Sequence, residues 1–271
     1  MEALRQVDDW PAENVAVAVV RRGEELGRTG DPGRVFRWAS VTKLVTALAC
    51  LVAAEEGTLD LDEPAGPPGS TVRHLLAHAS GLPFEGTTPI AEPGRRRIYS
   101  NTGFDVLADT LAERAGIQFD DYLREAVLEP LALRQAELRG SAGAGLCGSL
   151  DDLVALSREL LGPTLVARET LDEATTVQFP GLAGVLPDLG RYDPNDWGLG
   201  FELRDAKEPH WTGTRPSTRT FGHFGGSGTF LWVDPDAGFA VGCLTDLDFG
   251  DWAKEGWPRL SDAVWDEAKG A

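Results

Sequence analysis

The sequence predicts an α/β fold, with an antiparallel sheet built from both ends of the chain, flanking helices and an inserted helical region. Three observations predict it. Apolar, β-branched runs sit near the two ends, at Val15–Val20 and again between Trp197 and Asp246. The middle, from Thr58 to Pro194, is dominated by apolar residues at helical spacing, broken by Gly and Pro. Between the first strands and that middle lies TKLVTALACLVAA, apolar on most faces and therefore expected to be buried centrally. With 271 residues the chain can bury a substantial core as one large domain or two intertwined ones. The expected division is 1–57 with 195–271 for the sheet, and 58–194 for the insertion.

Taken in order, NVAVAVVRRGEELGRTGD reads as two strands around an Arg-Gly turn. Ser40 then opens a helix that stops near Gly57, with Leu44, Leu48 and Leu51 among its apolar positions. TVRHLLAHASGLP, GFDVLADTLAERAG, IQFDDYLREAVLEPL and SLDDLVALSRELLG read as helices. Ser149, followed by Asp151 and Asp152, reads as an N-cap. WGLGFELR, TFGHFG, GTFLWVDP and GFAVGCLTD read as antiparallel strands, with VDPDAG as a hairpin turn. WPRLSDAVWDEAKG reads as a closing helix. No internal repeat is present.

Composition narrows the function. The net charge of −18 opposes binding to nucleic-acid backbones or anionic membranes. No apolar run reaches the roughly 18 residues that a membrane span needs. Cys50, Cys147 and Cys243 are scattered and odd in number, which fits small buried residues in a reducing compartment. The acidic, polar N-terminus lacks the pattern of a secretory signal, so a cytoplasmic protein is expected. Arg95-Arg96-Arg97 reads as a solvated turn after Pro93-Gly94 rather than an anion site. His74 and His78 are four apart, but no Glu follows His74 and no third ligand is evident, so no metal is expected. No P-loop, dinucleotide fingerprint or Gly-x-Ser-x-Gly elbow occurs, and no cofactor is expected. Oligomeric state is not readable.

Three motifs carry chemistry. The chain has twenty-one arginines and four lysines, yet Lys43 opens the buried helix three residues after Ser40. Residues three apart share a helix face, with Cβ atoms ~5–6 Å apart. Burial lowers the pKa of an amine, and a neutral amine can take a serine proton. Arginine cannot do this, because it stays protonated. Tyr99-Ser100-Asn101 precedes another helix. Tyr99 beside an ammonium would favour its phenolate and serve as base or relay, and Asn101 could donate its amide to a substrate carbonyl. Their structural alternative is a helix start, with Asn101 or Thr102 as cap and Tyr99 as a packed staple. In FGHFGGSGTF, glycines surround His223 on a strand whose bare edge could offer N–H groups to an oxyanion. Its alternative is a Gly-rich turn with a surface histidine.

In order, Ser40-x-x-Lys43, Tyr99-x-Asn101 and His223-x-Gly225 resemble the three active-site motifs of the penicillin-recognising serine hydrolases. That superfamily includes class C β-lactamases, DD-peptidases and related esterases. LLAHASGLP at 75–83, Pro93-Gly94, Trp197-Gly198-Leu199-Gly200 and Gly222–Gly226 are also similar to it, so the resemblance spans nearly the whole chain. It implies a β-lactamase-like fold with a cleft at Ser40. It further implies Ser40 as acylated nucleophile, Lys43 and Tyr99 sharing proton transfer, Asn101 binding the substrate, and His223 on the opposite wall. The oxyanion hole would be the N–H groups of Ser40 and Gly226. One departure matters. Many of these enzymes have Lys-Thr-Gly where this chain has His223-Phe224-Gly225, and that lysine grips the antibiotic carboxylate. The expectation is therefore a small-molecule acyl transferase to water, acting on esters or amides. A β-lactamase or DD-peptidase, or a ligand-binding homologue without turnover, are the alternatives.

Overall fold

The computed structural model describes residues 1–270. Six antiparallel strands form the main sheet, in the order Glu24–Thr29, Val15–Arg21, Phe239–Thr245, Thr229–Asp234, Phe221–Gly225, Glu202–Leu203. The first and last parts of the chain meet at its centre, where Val15 pairs with Thr245 and Arg21 with Phe239. The expected hairpin at VDPDAG is present, with Asp234 opposite Phe239. WGLGFELR contributes less than expected. Only Glu202–Leu203 is a strand, because the chain turns back at Gly200 (φ 85°).

Both faces of this sheet are covered, which explains why its strands read as unbroken apolar runs rather than alternating ones. Ala16, Ala18, Val20, Leu231, Val233, Ala240 and Leu244 face one core. Val17, Val19, Phe230, Trp232, Phe239, Val241 and Cys243 face the other. The helix Asp251–Gly270 covers the second face through Trp257, Leu260 and Val264, and the short turn Glu2–Asp9 packs beside it. The first face carries Leu150–Leu161, which packs on the two central strands although it lies inside the inserted stretch in sequence. Ser149 caps that helix in a reciprocal box with Asp152. Gly242 permits its close approach, since a Cβ there would lie 2.7 Å from Leu153 Cδ2.

The inserted stretch is helical in its bulk, with Val72–Leu76, Asn101–Ala115, Phe119–Leu123 and Arg168–Ala174. It also carries short strands that the sequence did not signal, among them Arg97–Ile98, Gly184–Leu186 and Gly190–Tyr192, which form a three-stranded sheet. Between the two regions runs the helix Thr42–Glu55, with twelve of its fourteen residues buried. No helix among the described residues is long and apolar enough to cross a membrane.

Candidate active site

Ser40 sits in a single 3-10 turn, Ala39–Val41, immediately before the central helix. The turn is strained, with Ala39 held at φ 44°, a region that non-glycine residues seldom occupy. The main sheet holds it in place. Thr229 Oγ1 donates to Trp38 O at 3.0 Å and Ser227 Oγ donates to Arg37 O at 2.7 Å. Gly225 lies so close that a Cβ would be 2.5 Å from Trp38 O and 3.1 Å from Ala39 Cβ. The glycine at 225 thus lets the end of strand Phe221–Gly225, with Gly226 following, press directly against the Ser40 turn.

Lys43 has no exposed surface. Its Nζ lies 2.6 Å from Asn101 Oδ1, 2.7 Å from Gly143 O and 3.4 Å from Ser40 Oγ. The faces of Tyr99 and Phe104 enclose it, with centroids 4.6 Å and 5.3 Å away. Burial drives its pKa well below the ordinary lysine value, and the more distant Asp105 only partly offsets this. In that neutral state Nζ has two N–H bonds and one lone pair. Asn101 Oδ1 and Gly143 O can only accept, so they take both hydrogens. The lone pair is left for the third neighbour, the Ser40 hydroxyl.

Tyr99 is also buried, and burial raises its phenol well above the ordinary value, with the Ser40 hydroxyl as a smaller opposing influence. The expected phenolate is therefore corrected to a neutral phenol. No ammonium stands beside the hydroxyl, because Lys43 is itself desolvated and lies over the ring face. Tyr99 OH is 3.4 Å from His223 Nε2. His223 is not a surface histidine. It is 2% exposed in the strand, and its Nδ1 donates to Phe224 O at 2.6 Å. With Nδ1 as donor, neutral His223 offers Nε2 as acceptor to the phenol. Burial is the largest cause of a pKa lowered to about 3. Phe224 points away, into the cluster of Trp211, Phe249 and Trp257.

The helix that carries Asn101 is capped by Ser100, whose Oγ accepts from Gly103 N at 2.9 Å, and not by Asn101 or Thr102. That correction frees the Asn101 side chain for Lys43. His78, in the left-handed region at φ 54°, fixes the same turn by accepting Ser100 N–H on Nδ1 at 3.2 Å, while its ring packs on Tyr99 and Trp197. His74 is engaged elsewhere, with Thr71 and the Phe179 ring.

One part of the site carried no sequence expectation. Residues 141–143 deliver Gly143 O to Lys43. Asp105 Oδ1 accepts from Ser141 Oγ at 2.6 Å and Ala142 N at 3.1 Å, and Thr46 Oγ1 donates to Ala142 O at 2.7 Å. A Cβ on Gly143 would come within 3.3 Å of Asn101 Cα. The small-residue run GSAGAG was the available signal for a close backbone approach.

The family described as Beta-lactamase matches residues 6–263. The chain belongs to the β-lactamase family. A crystal structure of a β-lactamase from Mycobacterium bovis is similar at 53% identity and TM-score 0.97, covering 98% of this chain and 99% of that one. EstCE1, a hydrolase with promiscuous acyltransferase activity, shares the fold at TM-score 0.80 and 19% identity, over 97% of this chain and 96% of that one. Among curated relatives, penicillin-binding protein 4* of Bacillus subtilis is 27% identical over 38% of this chain and 30% of its own length. The carboxypeptidase/endopeptidase AmpH of Escherichia coli is 29% identical over 37% and 36%. The chain thus spans about a third of each of these two relatives. The family is one of hydrolases, and the relatives above include a carboxypeptidase/endopeptidase and a β-lactamase.

Proposed function

We propose that this β-lactamase-family protein is a serine hydrolase that cleaves small esters or amides through an acyl-enzyme. One observation carries the reading: the buried Lys43 Nζ lies against two fixed acceptors, Asn101 Oδ1 and Gly143 O, with Ser40 Oγ as its third neighbour, so a neutral amine there has its lone pair toward Ser40. The Ser40 proton passes to Lys43 Nζ as Oγ bonds to the substrate carbonyl carbon. The resulting oxyanion is held by the N–H groups of Ser40 and Gly226. Collapse breaks the bond to the leaving group, which takes the proton that Lys43 Nζ received from Ser40, while the neutral Tyr99 phenol stands as a hydrogen-bond donor to it. Water then attacks the ester at Ser40, losing a proton to Lys43, and Ser40 Oγ leaves with one. Asn101 Nδ2, its Oδ1 already engaged, is available to the substrate.

The preference for substrates without a lactam carboxylate rests on His223. It stands where many relatives have a cationic lysine, and burial keeps it neutral. Phe224, in the position of a hydroxyl-bearing residue, is turned into the core. A second reading, β-lactamase, is favoured by the 53% identity to the Mycobacterium bovis protein. The test is turnover of 4-nitrophenyl butyrate and of nitrocefin, with intact-mass detection of a fluorophosphonate adduct. Ester turnover and an adduct, both lost in Ser40→Ala, are expected. Unchanged turnover in Ser40→Ala would reject the serine mechanism, and nitrocefin turnover exceeding ester turnover would favour the second reading.

A further inference from the structure

Arg95-Arg96-Arg97, expected to be a solvated turn, divides into two parts. Arg97 is 2% exposed and acts structurally, donating to the carbonyls of Asn195, Ala77, Gln178 and Phe179. Arg95 and Arg96 stay exposed and line a cavity of about 750 Å³ that has Tyr99 as one wall. That volume suits a small molecule.

The groove joins two properties rarely exposed together. Five large apolar side chains are exposed among the described residues, and three of them, Phe84 (49%), Ile90 (55%) and Val185 (57%), line this one cavity. Phe84 is tied to the reactive centre. Its ring stacks with Tyr99 at 5.9 Å, and its carbonyl accepts from Asn101 N at 2.9 Å. The lining holds four arginines against Asp188 as its one acid; Arg97 is committed to backbone carbonyls, so the available charge comes from Arg95, Arg96 and Arg191. Arg191 lies directly across the hairpin from Val185, so apolar and cationic groups share a face. Arg191 is 3.9 Å from Asp193, and both are largely exposed, so that pair holds it weakly. Arg96 has one contact, Nη2 to Ile90 O at 3.1 Å. Other arginines are engaged by carboxylates at close range, among them Arg28 with Glu25 and Arg73 with Asp62. A cluster of under-used guanidinium groups on a chain of net charge −18 is a local reversal of the field.

We infer that this groove binds the distal part of the substrate, an apolar arm ending in an anionic oxygen group, carboxylate or phosphate. The apolar arm lies on Phe84, Ile90 and Val185, and the anion meets the Arg96 and Arg191 guanidinium groups, which suit planar oxyanions. This inference rests on the hydrolase reading for the reaction, but its test is independent of turnover. Ser40→Ala protein is titrated calorimetrically, at fixed ionic strength, with hexanoate, hexyl phosphate and hexanol. At least one of the anions should bind about tenfold or more tighter than hexanol, the equivalent of ~1.4 kcal/mol. An added Arg96→Ala/Arg191→Ala pair should erase that preference while leaving hexanol binding unchanged. The difference between the two anions identifies the head group. Equal binding of hexanol and both anions, or anion binding that survives the double substitution, overturns the inference. Val185→Asp, which places a negative charge in the same face, should weaken the anions in the same direction. If wild type lacks ester turnover but the anion preference holds, the hydrolase reading fails and the groove stands. Turnover without anion preference gives the reverse.

Discussion

Replacing Lys43 with methionine, similar in length but unable to titrate, separates what the amine does for reactivity from what it costs in stability. The variant loses the hydrogen bonds to Asn101 Oδ1 and Gly143 O, worth about 1 kcal/mol each in net terms. Against this, wild type must bury an amine that the unfolded chain prefers to protonate. The sign follows from proton counting. The folded pKa is lowered by burial, so below the unfolded value of ~10.4 and above the folded one the unfolded state holds one more proton. Wild-type stability therefore gains ~1.4 kcal/mol per pH unit from this residue across that window. Lys43→Met has no such slope. Urea unfolding at pH 7, 8 and 9 should show wild type gaining on the variant by about that increment at each step, other titrating groups cancelling in the difference. Ester turnover should fall at least ~10²–10⁴-fold, the range for loss of a positioned base. A constant stability difference from pH 7 to 9 would mean that Lys43 is charged in the folded protein, and the reasoning would be refuted.

Other expectations follow the same logic. His223, with its pKa lowered to about 3, refuses a proton that the unfolded chain accepts near pH 6.5, so it costs stability progressively as pH falls from about 6.5 to 3, by up to ~5 kcal/mol; in His223→Gln, acid unfolding curves should lose that component. Gly225→Ala places a Cβ 2.5 Å from Trp38 O, so the strand end must retreat from the Ser40 turn, and kcat/KM should fall by about 10²-fold as measured with 4-nitrophenyl butyrate. Arg97→Met leaves four carbonyls, two of them in buried contacts, without their donor and should destabilise by roughly 3 kcal/mol in urea unfolding, whereas Arg95→Met, at an exposed site, should stay within ~0.5 kcal/mol.

Much of this was legible in the sequence because it depends on periodicity and residue type. The two-faced core shows in the unbroken apolar runs of Val15–Val20 and Phe239–Leu244, and the central helix shows in its lack of a polar face. Lys43 stood out because an arginine-rich chain placed a lysine there. What escaped depends on through-space contacts. Gly143 reaches Lys43 from 100 residues away in sequence through its carbonyl oxygen, which no side-chain pattern reports. The Tyr99 phenolate expectation failed because it assumed an ammonium at the hydroxyl, while burial governs both groups. Arg96 and Arg97 look alike in sequence. Pairing with Gly184 and four carbonyl acceptors lock Arg97 inside, while Arg96, one residue before the strand, stays exposed.

The most direct test of the lone-pair account is the protonation state of Lys43 itself. With only four lysines, selective isotope labelling of the side-chain amines gives a spectrum in which Lys43→Met assigns the signal by its disappearance. The account predicts that this amine is neutral at the pH where esters turn over, and that it titrates well below the ordinary lysine value. A Lys43 signal that stays protonated through that range and titrates near 10.4 would contradict it.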